Sequence, residues 1–236
     1  MINTKDIRVS HISFKDIKPW LLHKHYAHRI PSISYSLGLF IDNELQAVCS
    51  FGHPVAHTLV KNVLGGEYQE NVMELNRLCA NEGLPRNALS YFVSRCLKQL
   101  PPPMLIVSYA DTSHNHHGYI YQATNWIYTG LSAPFKDAMV RGMENMHHSA
   151  VADLVGRCED LPKGASQVAL LRERFGADNV YMMERPRKHR YFYFVGNKRQ
   201  VRDMKKLFIY KQEPYPKGDN VRYDASYKVQ TQLTLF

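Results

Sequence analysis

Long apolar runs are missing from this sequence. Stretches such as Met104–Val107 and Leu37–Ile41 fall far short of the roughly 20 residues that a membrane-spanning helix needs. The opening Met1–Ser10 is polar and charged, so no secretory signal core is expected there. Cysteine is scarce: Cys49, Cys79, Cys96 and Cys158 stand apart without C-x-x-C spacing. That argues against a zinc ribbon or a disulfide framework, and for reduced core thiols in a cytosolic protein. Acidic side chains are in deficit, 21 against 30 basic ones, which leaves a net charge of +9. Such a surplus attracts polyanions, nucleic acid first and anionic membrane second, without specifying a fold. A basic soluble enzyme is the plainer alternative. What the chain does have is 44% hydrophobic residues over 236 positions, enough for a buried core, which excludes global disorder.

Periodicity orders the elements. Ile7, Val9 and Ile12 mark a short strand, and the chain continues as a helix towards Tyr26. Ser34–Ile41 and Glu44–Phe51 flank the turn pair Asp42-Asn43 and read as a hairpin. After Gly65-Gly66, Asn71–Cys79 reads as a further strand with one polar face. Leu89, Phe92, Val93, Cys96, Leu97 and Leu100 recur at helical spacing, with Pro85 in the first turn and Pro101-Pro102-Pro103 as the stop. The wholly apolar Met104–Tyr109 reads as a parallel strand buried on both faces. Asp111, Thr112 and Ser113 cap a short helix to about Ala123, and Trp126–Thr129 is one more strand. Between Leu131 and Pro162 the pattern dissolves, which predicts an insertion or mobile loop region. Ser166–Phe175 is a short helix closed by Gly176, and Tyr191–Val195 is a strand. This order predicts a three-layer α/β unit with a mixed central sheet, its ligand bound where neighbouring strands part.

Five groups of residues can carry chemistry. His25-Tyr26-Ala27-His28-Arg29-Ile30-Pro31 sets two imidazoles, a phenol and a guanidinium at a helix end, able to bind phosphate, stack a base or move a proton. A basic helix end facing the dipole is the plain reading. Glu74-Leu75-Asn76-Arg77 leads to the Asn81–Asn87 turn, where amides near Gly83, Arg86 and Asn87 converge on a helix N-terminus as in an anion site. Many helices, however, simply start after a Gly-Leu-Pro turn, and Walker or dinucleotide spacing is absent. Ser108-Tyr109-Ala110-Asp111 ends the buried strand, and His114, His116, His117, Tyr119, Tyr121, Gln122, Asn125 and Trp126 follow, which puts polar groups at a ligand-binding rim. Two His with an Asp or Tyr there could hold iron or zinc, in competition with Asp111 as a simple helix cap. Arg185, Arg187, Lys188 and Arg190 interleave with Tyr191 and Tyr193 and continue to Lys198, Arg199, Arg202, Lys205 and Lys206. That mixture suits a nucleic-acid surface, with a charge-guarded strand edge as the alternative. Last, Gln232, Leu233, Leu235 and Phe236 close a polar tail that resembles the Gln-Leu-x-Leu-Phe peptide by which bacterial replication proteins bind the sliding clamp.

His25-Tyr26 with Arg29 and Pro31, Glu74–Leu78, Leu84-Pro85-Arg86-Asn87, Ser108–Asp111 and Gly118–Asn125 together resemble the phage Mom family, closely over Trp20–Gly130. The Lys188-His189-Arg190-Tyr191 strand is similar too. The resemblance implies an acyltransferase-like (GNAT) fold and an enzyme that converts adenine in double-stranded DNA to its N6-carbamoylmethyl derivative, protecting phage DNA from restriction. The Gln/Arg-x-x-Gly-x-Gly pyrophosphate loop of standard acetyltransferases is absent, and the Asn81–Asn87 turn stands in its place. An acyl or glycine-derived donor, acetyl-CoA among them, is implied, with Gly83, Arg86 and Asn87 holding it. Adenine N6 is buried in a base pair, so the base must be flipped out and stacked. Tyr26 and Tyr119 or Trp126 are then the stacking residues, and Asn76 or Asn125 reads the adenine edge. His25, Arg29, Tyr109, Tyr121 and Gln122 complete the substrate site. Arg77 holds donor or target-strand phosphate, Ser108 orients the donor carbonyl, and Asp111 is a base or metal ligand. Iron is also implied, on His25, Tyr26 and Asp111. Arg185, Arg187, Lys188 and Arg190 follow the DNA backbone.

The expected organisation is one modification domain over residues 1–212, interrupted at about 131–162, and a flexible tail over 213–236 carrying the clamp peptide. The expected location is the bacterial host cytoplasm, from a phage or prophage gene, with no membrane partner. Two other functions compete: an acetyltransferase acting on a protein or small amine, and a noncatalytic DNA- and clamp-binding protein.

Overall fold

The computed structural model describes residues 7–146, 148–156 and 164–218. It divides into two compact units, Met1–Leu131 with Lys188–Phe236, and Ser132–Arg187.

In the first unit, β1 (Ile7–His11), β2 (Tyr35–Ile41), β3 (Glu44–Gly52), β4 (Val72–Ala80), β5 (Met104–Asp111), β6 (Ile127–Leu131) and β9 (Lys188–Val195) form one sheet in the order β1-β2-β3-β4-β5-β9-β6. Every pairing is antiparallel except β4 with β5. The β2–β3 hairpin turns on Asp42 and Asn43, both left-handed at φ 52° and 65°, the conformation that short polar side chains tolerate. Helix α3 (Ala88–Lys98) buries Phe92, Val93, Cys96 and Leu97 on one face of the sheet, against Leu37, Cys49, Leu75 and Ile106. The opposite face is covered by α2 (His57–Asn62) and α7 (Lys198–Leu207), whose Leu59 and Met204 meet Val72, Leu105, Val107 and Phe192. Helix, sheet and helix make the three layers expected from the strand order, with the mixed sheet between them. Among the described residues, no helix is long and apolar enough to cross a membrane.

Three details differ from the sequence reading. Strand β5 pairs in parallel with β4 over only Val72–Glu74, and antiparallel with β9 along its whole length. An apolar run reports burial on both faces but not the direction of the neighbours. Helix α3 starts at Ala88 after the cap Asn87, so Pro85 lies before the first turn and accepts from the Ala88 N–H at 3.0 Å. The basic stretch after Val195, to which the sequence reading assigns no element, forms α7 (Lys198–Leu207), opened by an Asn197–Gln200 capping box.

The second unit, Ser132–Arg187, begins with the segment expected as an insertion. It pairs β7 (Phe135–Val140) with β8 (Val180–Arg185) and packs Met139, Val140, Val151, Leu171 and Val180 with the helices α5 (His148–Asp153) and α6 (Gln167–Phe175).

Candidate active site

The site grows from the one parallel pair. Strands β4 and β5 bond over Val72–Glu74 and Leu105–Val107, then β4 continues to Ala80 and β5 to Asp111 without pairing to each other. Where they part, Ser108 Oγ lies 2.7 Å from the Leu75 carbonyl oxygen and 2.7 Å from Tyr121 Oη. A carbonyl only accepts, so Ser108 donates to Leu75 and receives the Tyr121 proton. Burial raises the Tyr121 phenol above its ordinary pKa, which keeps it a neutral donor. The serine therefore supplies across the fork the hydrogen bond that the ladder no longer makes.

Beyond the fork lies a cleft of about 1320 Å³, lined by β4 from Glu74 onward, the Asn81–Asn87 turn, Leu89 and Ser90 of α3, Tyr109, His116–Tyr121, Lys188, His25 and Tyr26. That exceeds the roughly 300–1,000 Å³ of an ordinary small-molecule site and leaves room for two reactants.

Its aromatic wall is built by a helix that changes pitch. A Ser13–Asp16 capping box starts α1 (Phe14–Pro19), and a π turn over Trp20–Lys24 then lets the His25 N–H bond the Trp20 carbonyl at 2.8 Å. Buried Ile17 and Leu21 anchor this segment. His25 is buried and accepts the Ala27 N–H at 3.1 Å through Nδ1. Its ring stacks on Tyr26 at 4.4 Å, and Tyr26 lies 4.6 Å from the His114 ring. Burial, then the charges of Arg77, His28, His114 and His116, push the His25 pKa down to about 3, so the imidazole is neutral.

The opposite wall is the turn into α3. Gly83 and Asn87 take left-handed backbone at φ 74° and 68°, and Asn87 makes no side-chain cap bond. Lys24 donates to Asn81 Oδ1, and Asn81 Nδ2 donates to Gln46 Oε1 at 2.9 Å, so β3 and the π turn hold the loop in place. Gly83, Arg86 and Asn87 all line the cleft.

On the floor stands Glu74, a residue for which the sequence reading names no role. Burial raises its pKa to about 7, against the opposing charges of Arg77 and Lys188 and the Val55 N–H. The signal was available: an acid beside apolar Val72, Met73 and Leu75 in a strand of a three-layer fold. Arg77 beside it donates through Nη1 to the Asn76 carbonyl at 2.6 Å, while its buried Nε meets no hydrogen-bond partner among the described residues.

The structure gathers His25, Tyr26, Asn76, Arg77, Gly83, Arg86, Asn87, Tyr109, Tyr119, Tyr121 and Lys188 at this cleft. Asn76 among these, and several expected residues outside the lining, do not serve as expected. Trp126 is fully buried in the core, 5.0 Å from Tyr121 and 5.6 Å from Tyr193, and cannot stack a substrate base. The Asn76 amide accepts from Ser50 and donates to the Ser32 carbonyl, each at 2.7 Å, so both its ends serve the fold rather than an adenine edge. Gln122 donates to the His117 carbonyl at 2.9 Å, and exposed Asn125, like Arg29, is not part of the cleft lining.

Asp111 caps the short turn Thr112–His114, accepting from the Ser113 N–H at 3.0 Å and hydroxyl at 2.6 Å, and pairs with Lys188 at 3.0 Å. Burial pushes its carboxyl up, but Ser113 and Lys188 outweigh that and hold it below the ordinary range. These contacts do not fit the expected iron site. Both Asp111 oxygens are engaged, one by a cation, and the His25 and Tyr26 rings are stacked rather than converging on a point. Among the described residues no group of three His, Cys, Asp or Glu could hold a metal ion.

The four cations expected on the DNA backbone have partners within the protein. Arg185 forks onto buried Asp137 at 2.8 and 2.5 Å, and Arg187 donates to the Ser132 carbonyl at 2.6 Å. Arg190 bonds Thr129 Oγ1 at 2.9 Å and lies 3.8 Å over the Tyr210 ring, while Lys188 pairs with Asp111. The clamp-like residues Gln232, Leu233, Leu235 and Phe236 lie outside the described residues.

Among curated proteins, the chain is similar to the methylcarbamoylase Mom of Escherichia phage Mu, with 27% identity over 225 residues that cover 91% of this chain and 85% of that protein. Among solved structures it is similar to an N-acetyltransferase from Staphylococcus aureus, with TM-score 0.42, 8% identity and coverage of 80% of this chain and 99% of that one. A GNAT family acetyltransferase from Bacillus cereus overlaps with TM-score 0.40, 10% identity and coverage of 81% and 99%. The family model for the Mom protein family matches residues 6–217, and this chain belongs to that family.

Proposed function

We propose that this protein modifies adenine in double-stranded DNA, converting it to N6-carbamoylmethyladenine and so shielding phage DNA from restriction. The observation that carries the reading is membership of the Mom family over nearly the whole described chain, with a relative named a methylcarbamoylase. The cleft is suited to it. A flipped adenine slots against the Tyr26 ring, in the manner of base-flipping enzymes that hold their target by stacking. As the new N–C bond forms, the donor's bond from that carbon to its leaving group breaks, the leaving group takes the electron pair, and the amine gives up a proton; Glu74, with its pKa raised to about 7, suits that proton transfer near neutral pH. The start of α3, with Gly83, Arg86 and Asn87, is the place for an anionic part of an acyl or glycine-derived donor.

Mass spectrometry of nucleosides from DNA of cells expressing the protein tests this. The modified nucleoside is expected in the wild type and absent from an Arg77→Ala variant; only unmodified deoxyadenosine in several hosts would overturn it. Docking of the tail on the sliding clamp is a separate expectation that rests on the Gln232–Phe236 sequence. Deleting those five residues should abolish clamp binding and leave the reaction on isolated DNA; unchanged clamp affinity would end the idea.

A further inference from the structure

The four cations expected on DNA are engaged within the protein, which leaves open where the backbone of a duplex is held. Helix α7 offers a surface built for it. Its ten residues carry Lys198, Arg199, Arg202, Lys205 and Lys206 against a single carboxylate, Asp203, a net +4 out of +9 for the whole chain. At 100° per residue these five cations fall within one stripe, opposite buried Met204 and bordered by Val201, both of which pack on the sheet. The stripe is about 12 Å long at 1.5 Å per residue, enough to follow several phosphates. It is open: the side chains of Arg199, Arg202 and Lys206 are 85%, 67% and 67% exposed. Gly196, Lys198, Val201, Arg202, Lys205 and Lys206 line a shallow hollow of about 620 Å³ beside it.

The arrangement is not one the fold needs. Lys198 and Arg199 sit in the first turn, where the helix dipole disfavours cations, and no acid accompanies them there. Asp203 must serve Arg199, Arg202 and Lys206 at 3.9, 3.6 and 3.1 Å. A concentration of like charge that costs the helix stability is relieved when phosphates neutralise it. Met204 and the cleft residue Tyr109 pack on the same hydrophobic cluster, which ties α7 to one of the strands that reach the cleft.

We infer that α7 is a sequence-independent contact for the DNA phosphate backbone, separate from the cleft that takes the base. The inference rests on DNA being the substrate, and its test separates the two. Binding of the full-length wild type and of R199Q/R202Q/K205Q/K206Q to a duplex is measured by fluorescence anisotropy between roughly 50 and 200 mM salt. Loss of four phosphate contacts should flatten the slope of log K against log salt by about 3–4 and weaken low-salt binding at least about tenfold. The D203N variant, which removes only the competing carboxylate, should bind about two- to fivefold more tightly. Wild-type binding with an unchanged slope in the quadruple variant, its fold intact by circular dichroism, overturns the role of α7 while leaving the enzyme reading in place. No wild-type binding to any duplex overturns both. Capture of the wild type by phosphatidylserine vesicles in place of DNA, lost in the quadruple variant, makes the partner a membrane and also overturns the inference.

Discussion

The Ser108 hydroxyl donates to the Leu75 carbonyl oxygen at 2.7 Å, across the point where β4 and β5 separate. Both groups are buried, so neither can turn to water instead. Ser108→Ala leaves the carbonyl without its donor and Tyr121 without its acceptor. The expected cost is about 1–3 kcal/mol of stability, read by urea unfolding, with a loss of DNA modification as the fork loosens. Unchanged stability would show that the bridge contributes nothing.

Glu74 sets the expected pH dependence. Its folded pKa, about 7, lies above the ordinary carboxylate value, so the native state binds more protons than the unfolded chain between these values. Stability therefore falls as pH rises from about 4.5 towards 7, while the ionised form able to accept a proton accumulates. The modification rate should rise through pH 7, and Glu74→Gln should abolish both the rise and most of the rate. A Gln variant with the wild-type pH–rate profile would assign the proton transfer to another group.

Tyr26 tests base stacking in the cleft. Its hydroxyl is not needed for stacking, so Tyr26→Phe should modify duplex DNA at close to the wild-type rate. Tyr26→Ala removes the ring, and stacking worth about 1–3 kcal/mol corresponds to a loss of roughly 5- to 150-fold in kcat/KM. Equal activity of the two variants would place the base elsewhere.

Arg185 belongs to the second unit's own fold. Removing it strands Asp137, which is 8% exposed and also lies 3.7 Å from His148. Because the arginine itself is 38% exposed, Arg185→Gln should cost about 1–2 kcal/mol and not more. Hydrogen exchange should quicken in β7 and β8 while DNA affinity at moderate salt changes little. Lost affinity with unchanged exchange would return Arg185 to the DNA surface.

Much of the site was legible because its residues stand close in the chain. His25-Tyr26 and the Gly83–Asn87 turn announce themselves by residue type, and all of them line the cleft. Trp126 and Asn76 misled for a common reason. Residue type says what a side chain can do, and not which neighbours from distant strands already occupy it: Tyr121 and Tyr193 enclose the indole, and Ser32 and Ser50 take both ends of the amide. The region after Leu131 showed no period because its strands and helices are short and burial along β7 and β8 does not alternate from residue to residue.

From the sequence alone came the layered α/β architecture, the order of the main strands, the polyanion-seeking charge and the family resemblance. Each rests on local pattern, hydrophobic period and residue identity, which the chain carries before it folds. Tertiary structure alone decided that β4 and β5 pair for three residues and then part, which opens the cleft. It also placed Glu74 where burial makes it a neutral-pH carboxyl, and gave the Arg185–Arg190 cations internal partners. These properties arise from what distant segments bring to one point, and the opening surplus of charge is distributed by the same rule.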